Sequence, residues 1–120
     1  MSSFTKPLTV TKISGRKWMI ARAFKYYIYA NLEGDCVDIP EGYITDFASV
    51  PRVFWHIVPP DGQYTQAAVV HDYLYDNEIY SKEKADHIFY QAMGVLGVPD
   101  WKRNVMYWAV KHFGKPSWMK

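Results

Sequence analysis

His71 stands in Ala67-Ala-Val-Val-His-Asp-Tyr-Leu-Tyr75 and Asp86 in Ser81-Lys-Glu-Lys-Ala-Asp-His-Ile-Phe89, each among alanines and large apolar side chains. An ionisable group in such a setting needs a polar partner, because burying it alone is costly. A carboxylate that accepts a hydrogen bond from one ring nitrogen of a histidine fixes the tautomer and leaves the other nitrogen free as a base. That is the proton-handling half of a hydrolase. Asp72 follows His71 directly and points about 100° away from it round a helix, where it can hold a cation instead of pairing with the imidazole. The same residues admit a second chemistry-free reading, in which a buried His–Asp pair only ties two helices together.

Both readings need helices at the right height. Tyr64, Ala67, Ala68, His71, Leu74 and Tyr75 recur at three- and four-residue intervals and predict a helix ending near Asp76. Ser81 can cap a second helix, whose stripe runs Ala85, Ile88, Phe89, Ala92, Met93 and Leu96, with Gly94 and Gly97 weakening its end. The short connection from Asp76 to Tyr80 predicts an antiparallel helical hairpin. His71 and Asp86 then both sit roughly 7 to 8 Å from the bend, at about 1.5 Å of rise per residue. A third helix is expected from Pro99 or Asp100 to Gly114, with Trp101, Val105, Trp108, Ala109 and Phe113 turned inward.

Ahead of the helices, residues 8–44 read as β structure, rich in Val, Ile, Thr and Tyr with polar residues interleaved. Lys25-Tyr-Tyr-Ile-Tyr-Ala30 and Cys36-Val-Asp-Ile39 flank a loop of hairpin length, and Pro40-Glu-Gly42 marks a second turn. Three or four antiparallel strands in a small N-terminal sheet are expected. After Asp46 the character changes: Ser49 can cap a short turn that has Pro51 near its start, and Pro59-Pro-Asp-Gly62 then breaks the chain. The expected fold is therefore α+β in one domain of residues 1–120, with the sheet at about 8–46 and the helical part at about 49–114.

The bulk numbers narrow the classes. A length of 120 residues suits a single core, and 49% hydrophobic with 22% charged residues is ordinary for a globular chain. The net charge of +2, with no run of Lys or Arg, argues against a nucleic-acid partner. No stretch has the length of a membrane-spanning helix, and the N-terminus has no apolar signal region, so synthesis in a cytoplasm is expected. Cys36 alone can form no internal disulfide. The 18% aromatic content is the unusual feature, most of it expected in the core.

Ala68-x-x-His71-Asp72-x-x-Tyr75, followed by Ala85-Asp86, resembles the core of the phospholipase A2 superfamily, in particular the short form found in parvovirus capsid proteins. The resemblance implies that His71 activates a water, Asp86 orients it, Tyr75 supports Asp86 and Asp72 binds calcium. Further calcium oxygens would come from Asp46 at the Thr45-Asp46 corner and from Pro59-Pro-Asp-Gly62. The longer order Tyr43-x-Thr45-Asp46-Phe47-Ala48-Ser49-Val50-Pro51-Arg52, then Ala67-Ala68-Val-Val-His71-Asp72-x-Leu74-Tyr75, then Ala85-Asp86-x-x-Phe89 is similar to small uncharacterised proteins of tailed bacteriophages and prophages. That second resemblance implies a phage origin and no activity.

Within the loop, Thr45, Ser49 and Arg52 are candidate substrate contacts, against their ordinary duty as turn and cap residues. An adjacent His-Asp also occurs in metal-dependent phosphohydrolases, with His56 and Asp86 or Asp100 as further ligands, but that fold is all-helical. His87 and His112 are expected in solvent. The C-terminal Gly114-Lys-Pro-Ser-Trp-Met-Lys120 suits either a lipid interface or packing against the body or another protein. Together these expectations describe a phage protein with a phospholipase A2-like site, hydrolysing phospholipid or another ester with a bound calcium, with a phospholipid or membrane surface as its partner. The alternative is a non-enzymatic virion, tail or host-interaction protein, made in the host cytoplasm, whose partners are other virion proteins.

Overall fold

The computed structural model describes residues 3–4, 6, 8–14, 17–28, 36–45 and 65–114. The chain divides into two compact units, Met1–Asp46 and Phe47–Lys120. Among the described residues six strands precede three helices, which is the α+β order expected. The strands are β1 (Ser3–Phe4), β2 (Val10–Ser14), β3 (Lys17–Ile20), β4 (Phe24–Tyr27), β5 (Cys36–Ile39) and β6 (Ile44–Thr45).

They form two three-stranded antiparallel sheets, ordered β1-β4-β5 and β2-β3-β6. In the first, Phe24 pairs with Ile39 and Tyr26 with Val37, and all four are buried. Their neighbours Lys25 and Asp38 alternate to solvent, where they form a 3.6 Å ion pair that contributes little because both ends are wet. The turn at residues 40–42 is the expected one. Gly42 takes φ +91°, which an L side chain adopts only with strain, and the chain re-enters as β6 against β3.

In the helical unit, α1 (Thr65–Asn77), α2 (Lys82–Val95) and α3 (Asp100–Phe113) pack in series, α1 on α2 and α2 on α3. Ser81 caps α2 as expected, its hydroxyl accepting from the Lys84 amide at 3.2 Å. Leu96 and Gly97 close that helix, with Gly97 at φ +83°. The hairpin core is alanine-rich: Ala67, Ala68, Ala85 and Ala92 are all fully buried. Small side chains let α1 and α2 approach closely, and Leu74, Phe89 and Met93 fill what remains.

The third helix turns Ala109 of the expected stripe inward, but not that stripe's large aromatics. Trp101, Trp108 and Phe113 are half or more exposed, whereas Met106, Ala109 and Val110 face inward. Among the described residues no helix is long and apolar enough to cross a membrane.

Candidate functional site

The hairpin brings His71 and Asp86 together. Thirteen-residue α1 and fourteen-residue α2 run antiparallel from a short bend, so both side chains reach the seam at one level, and Nε2 of His71 lies 2.7 Å from Oδ1 of Asp86. The same carboxylate oxygen accepts the Tyr75 hydroxyl, one turn beyond His71. Its other oxygen, Oδ2, accepts from Lys82 Nζ at 2.8 Å. Three protein donors therefore converge on one carboxylate.

His71 is 0% exposed and Asp86 2%. The imidazole is held between rings: Phe89 stacks on it with centroids 4.6 Å apart and planes at 28°, and Tyr75 tilts against it at 4.1 Å. In the neutral ring, with Nε2–H donating to the carboxylate, the lone pair falls on Nδ1. That atom is buried and has no hydrogen-bond partner among the described residues. A buried acceptor without a donor is uncommon enough in folded proteins to call for a cause.

Burial pushes the Asp86 carboxyl up, but the hydrogen bond from His71 and the charge that ring carries when protonated, with the bonds from Lys82 and Tyr75, outweigh it and hold the pKa below the ordinary value. Burial also drives the Tyr75 hydroxyl far above a phenol's usual range, assisted by the hydrogen bond to Asp86 and the charges of Asp86 and Asp72. Tyr75 is accordingly a permanent donor. A carboxyl whose folded pKa lies below its unfolded value of about 3.9 contributes stability that is complete above that value and is lost as the pH falls through the folded one. Between pH 6 and pH 3 the urea midpoint of the parent should fall further than that of Asp86→Asn. Parallel curves for the two proteins would remove Asp86 from the acid response.

Lys82 joins the site from outside the sequence candidates. Its signal was a Lys four residues before Asp86, a spacing that puts both on one helical face. Besides Asp86, its ammonium donates to the carbonyls of Val110 at 2.8 Å and Lys111 at 3.0 Å, at the carboxyl end of α3. Gly114, just past that end, lies so close that a Cβ there would come within 2.8 Å of the Tyr75 hydroxyl and 2.6 Å of the Val110 carbonyl.

Asp72 is buried at 4% exposure. Thr45 is buried on β6 of the strand unit. Asp46, Ser49, Arg52, His56, the Pro59–Gly62 stretch and residues 115–120 lie outside the described residues. His87 and His112 are exposed, as expected.

Residues 18–110 match the family model described as "Protein of unknown function (DUF1353)". Two proteins of Sinorhizobium fredii (strain NBRC 101917 / NGR234) are similar to the chain. Uncharacterized protein y4jT is 40% identical over 82 residues, which is 67% of this chain and 24% of that protein. Uncharacterized protein y4iH is 33% identical over 76 residues, 62% of this chain and 31% of that protein. The chain thus spans under a third of the length of either relative. No solved structure matches it.

Proposed function

The chain belongs to the DUF1353 family, and on that premise we propose that its helical hairpin is a water-activating His–Asp centre of the phospholipase A2 type, acting on a phospholipid or another ester. The observation that carries this reading is the bare Nδ1 of His71, a buried acceptor whose opposite nitrogen is fixed by Asp86. A pair that served only to join helices gains nothing from an unpartnered nitrogen, whereas a general base requires one. Nδ1 takes a proton from water as the hydroxide oxygen attacks the ester carbonyl. The imidazolium that forms is stabilised by Asp86, and its proton passes to the departing alkoxide oxygen as the ester bond breaks. Tyr75 keeps the carboxylate turned towards His71 throughout.

Calcium belongs to this reading by resemblance, with Asp72 and Asp46 as its ligands. Among the described residues, no group of three or more His, Cys, Asp and Glu side chains is arranged to hold a metal. Both oxygens of Asp86 are occupied by protein donors. Calcium takes six to eight oxygens, and when bound it would polarise the ester carbonyl.

A second reading has its own support: His71 has no exposed surface, and Lys82 ties the pair to α3. In it the protein is a non-enzymatic virion, tail or host-interaction component of a tailed phage, made in the host cytoplasm, and the pair is architectural. Release of fatty acid from mixed phospholipid vesicles, with calcium titrated from chelator to millimolar, separates the two. Under the first reading the parent releases fatty acid, and folded His71→Ala and Asp72→Asn, checked by circular dichroism, lose it by about 10²- to 10⁴-fold. A folded parent that releases none across lipids supports the second.

A further inference from the structure

The His71–Asp86 centre, as usually conceived, ends at the two helices that carry it. The hydrogen bonds extend it to a third. A carboxylate pivots about its Cβ–Cγ bond unless both oxygens are held. Oδ1 of Asp86 faces His71 and Tyr75, and Oδ2 is held by Lys82 at 2.8 Å. Lysine is normally a poor clamp because its four-carbon stem is flexible and its ammonium prefers water. Here the ammonium is fixed on two further sides by the Val110 and Lys111 carbonyls. All three of its protons therefore have acceptors, and its side chain retains only 21% of its exposure.

Those carbonyls are among the last of α3, where helical partners run out; that of Val110 also accepts the Gly114 amide at 2.9 Å and has a second lone pair for Lys82. The end of a helix also carries partial negative charge, which favours a cation. The fit of Gly114 against Tyr75 is an independent sign that this helix end belongs to the site. With a side chain at that position, the α3 terminus could not approach Tyr75 or keep Val110 within reach of Lys82.

We propose that Lys82, anchored on the carboxyl end of α3, is a positioning residue that fixes the rotation of Asp86 and through it the tautomer of His71. This rests on the water-activating reading for its consequence in catalysis, though not for its geometry. Lys82 touches neither water nor ester in this role. It sets the angle at which Nδ1 is presented.

The test uses Lys82→Met on the full chain, with two readouts. The first is the nitrogen-15 spectrum of the His71 ring, which distinguishes a protonated Nε2 from a bare Nδ1. The parent should show that single tautomer, and Lys82→Met should show averaged signals, with the fold unchanged by circular dichroism. Lys82→Arg, which keeps a cationic donor for Oδ2, should restore much of the parent pattern. The second is vesicle hydrolysis, where kcat should fall by about 10²-fold, as expected when a reacting group is misplaced by an ångström, with KM little changed. A parent tautomer retained in folded Lys82→Met overturns the inference. If the parent releases no fatty acid yet its tautomer depends on Lys82, the catalytic reading fails while the positioning role stands. Should Lys82→Met not fold, Lys82→Gln carries the test, because it keeps a polar donor but removes the ammonium held by the α3 carbonyls. Unaltered ring signals in that folded variant overturn the inference.

Discussion

Asp86→Ala should lower the stability of the protein by about 3–5 kcal/mol, the range seen when one member of a buried charged set is removed. The cause is what stays behind. The Nε2–H of His71 and the hydroxyl of Tyr75 would both lose their acceptor inside the hairpin, and each unsatisfied buried donor costs about 1–3 kcal/mol. Lys82 would keep its two α3 carbonyls, so its share of the loss is smaller. Tyr75→Phe offers the control. It removes one donor while Asp86 retains His71 and Lys82, and should cost about 1 kcal/mol. Urea midpoints of the three proteins at pH 7 decide the matter. A loss below about 1 kcal/mol for Asp86→Ala would mean that the converging donors contribute little, and the structural reading of the pair would fall with it. Against a total stability of about 5–15 kcal/mol, the expected loss leaves a protein close to its folding threshold.

Much of this arrangement is legible in the sequence because its determinants are local. Ser81 announces the start of α2 and Gly97 follows its end, each acting through groups within a few residues. The level placement of His71 and Asp86 needs only helix rise and a short bend. Tyr75 is legible for the same reason, being one turn from His71. Lys82 is different: its Asp86 contact is a local spacing, but the carbonyls that fix it lie 28 and 29 residues away in sequence. No periodicity reports such a bond, and a lone lysine reads by default as solvated.

The strands and α3 show where local rules stop. Segments of β type are readable from composition, but strand partners are non-local. The pairing of β3 with β6 skips the intervening hairpin strands and divides the expected small sheet into two. In α3, apolar residues lie on both sides, with Trp101, Val105 and Trp108 on one and Met106, Ala109 and Val110 on the other. Spacing cannot rank two apolar stripes. Packing does, because a close approach of two helices favours the smaller side chains at the contact, and α3 presents Ala109 and Val110 inward while its indoles remain outside.

Phe89→Ala should produce the second large effect, about 3–5 kcal/mol of lost stability, because it removes a fully buried ring from a region with few alternatives for filling the space. The alanines buried in the hairpin, Ala67, Ala68, Ala85 and Ala92, cannot reach into a void. Phe89→Leu returns most of the volume and should cost clearly less. The two substitutions also separate packing from positioning. Phe89 covers one face of the His71 ring at 4.6 Å. With that face uncovered, the imidazole gains freedom to rotate away from Asp86, whereas leucine still blocks the motion. Under the water-activating reading, the hydrolysis rate of Phe89→Ala, measured where it remains folded, should fall by about 10²-fold, and Phe89→Leu should fall far less. Equal rates for both variants would show that the stack confers stability alone, and the orientation of Nδ1 would then rest on Asp86 and the groups that hold it.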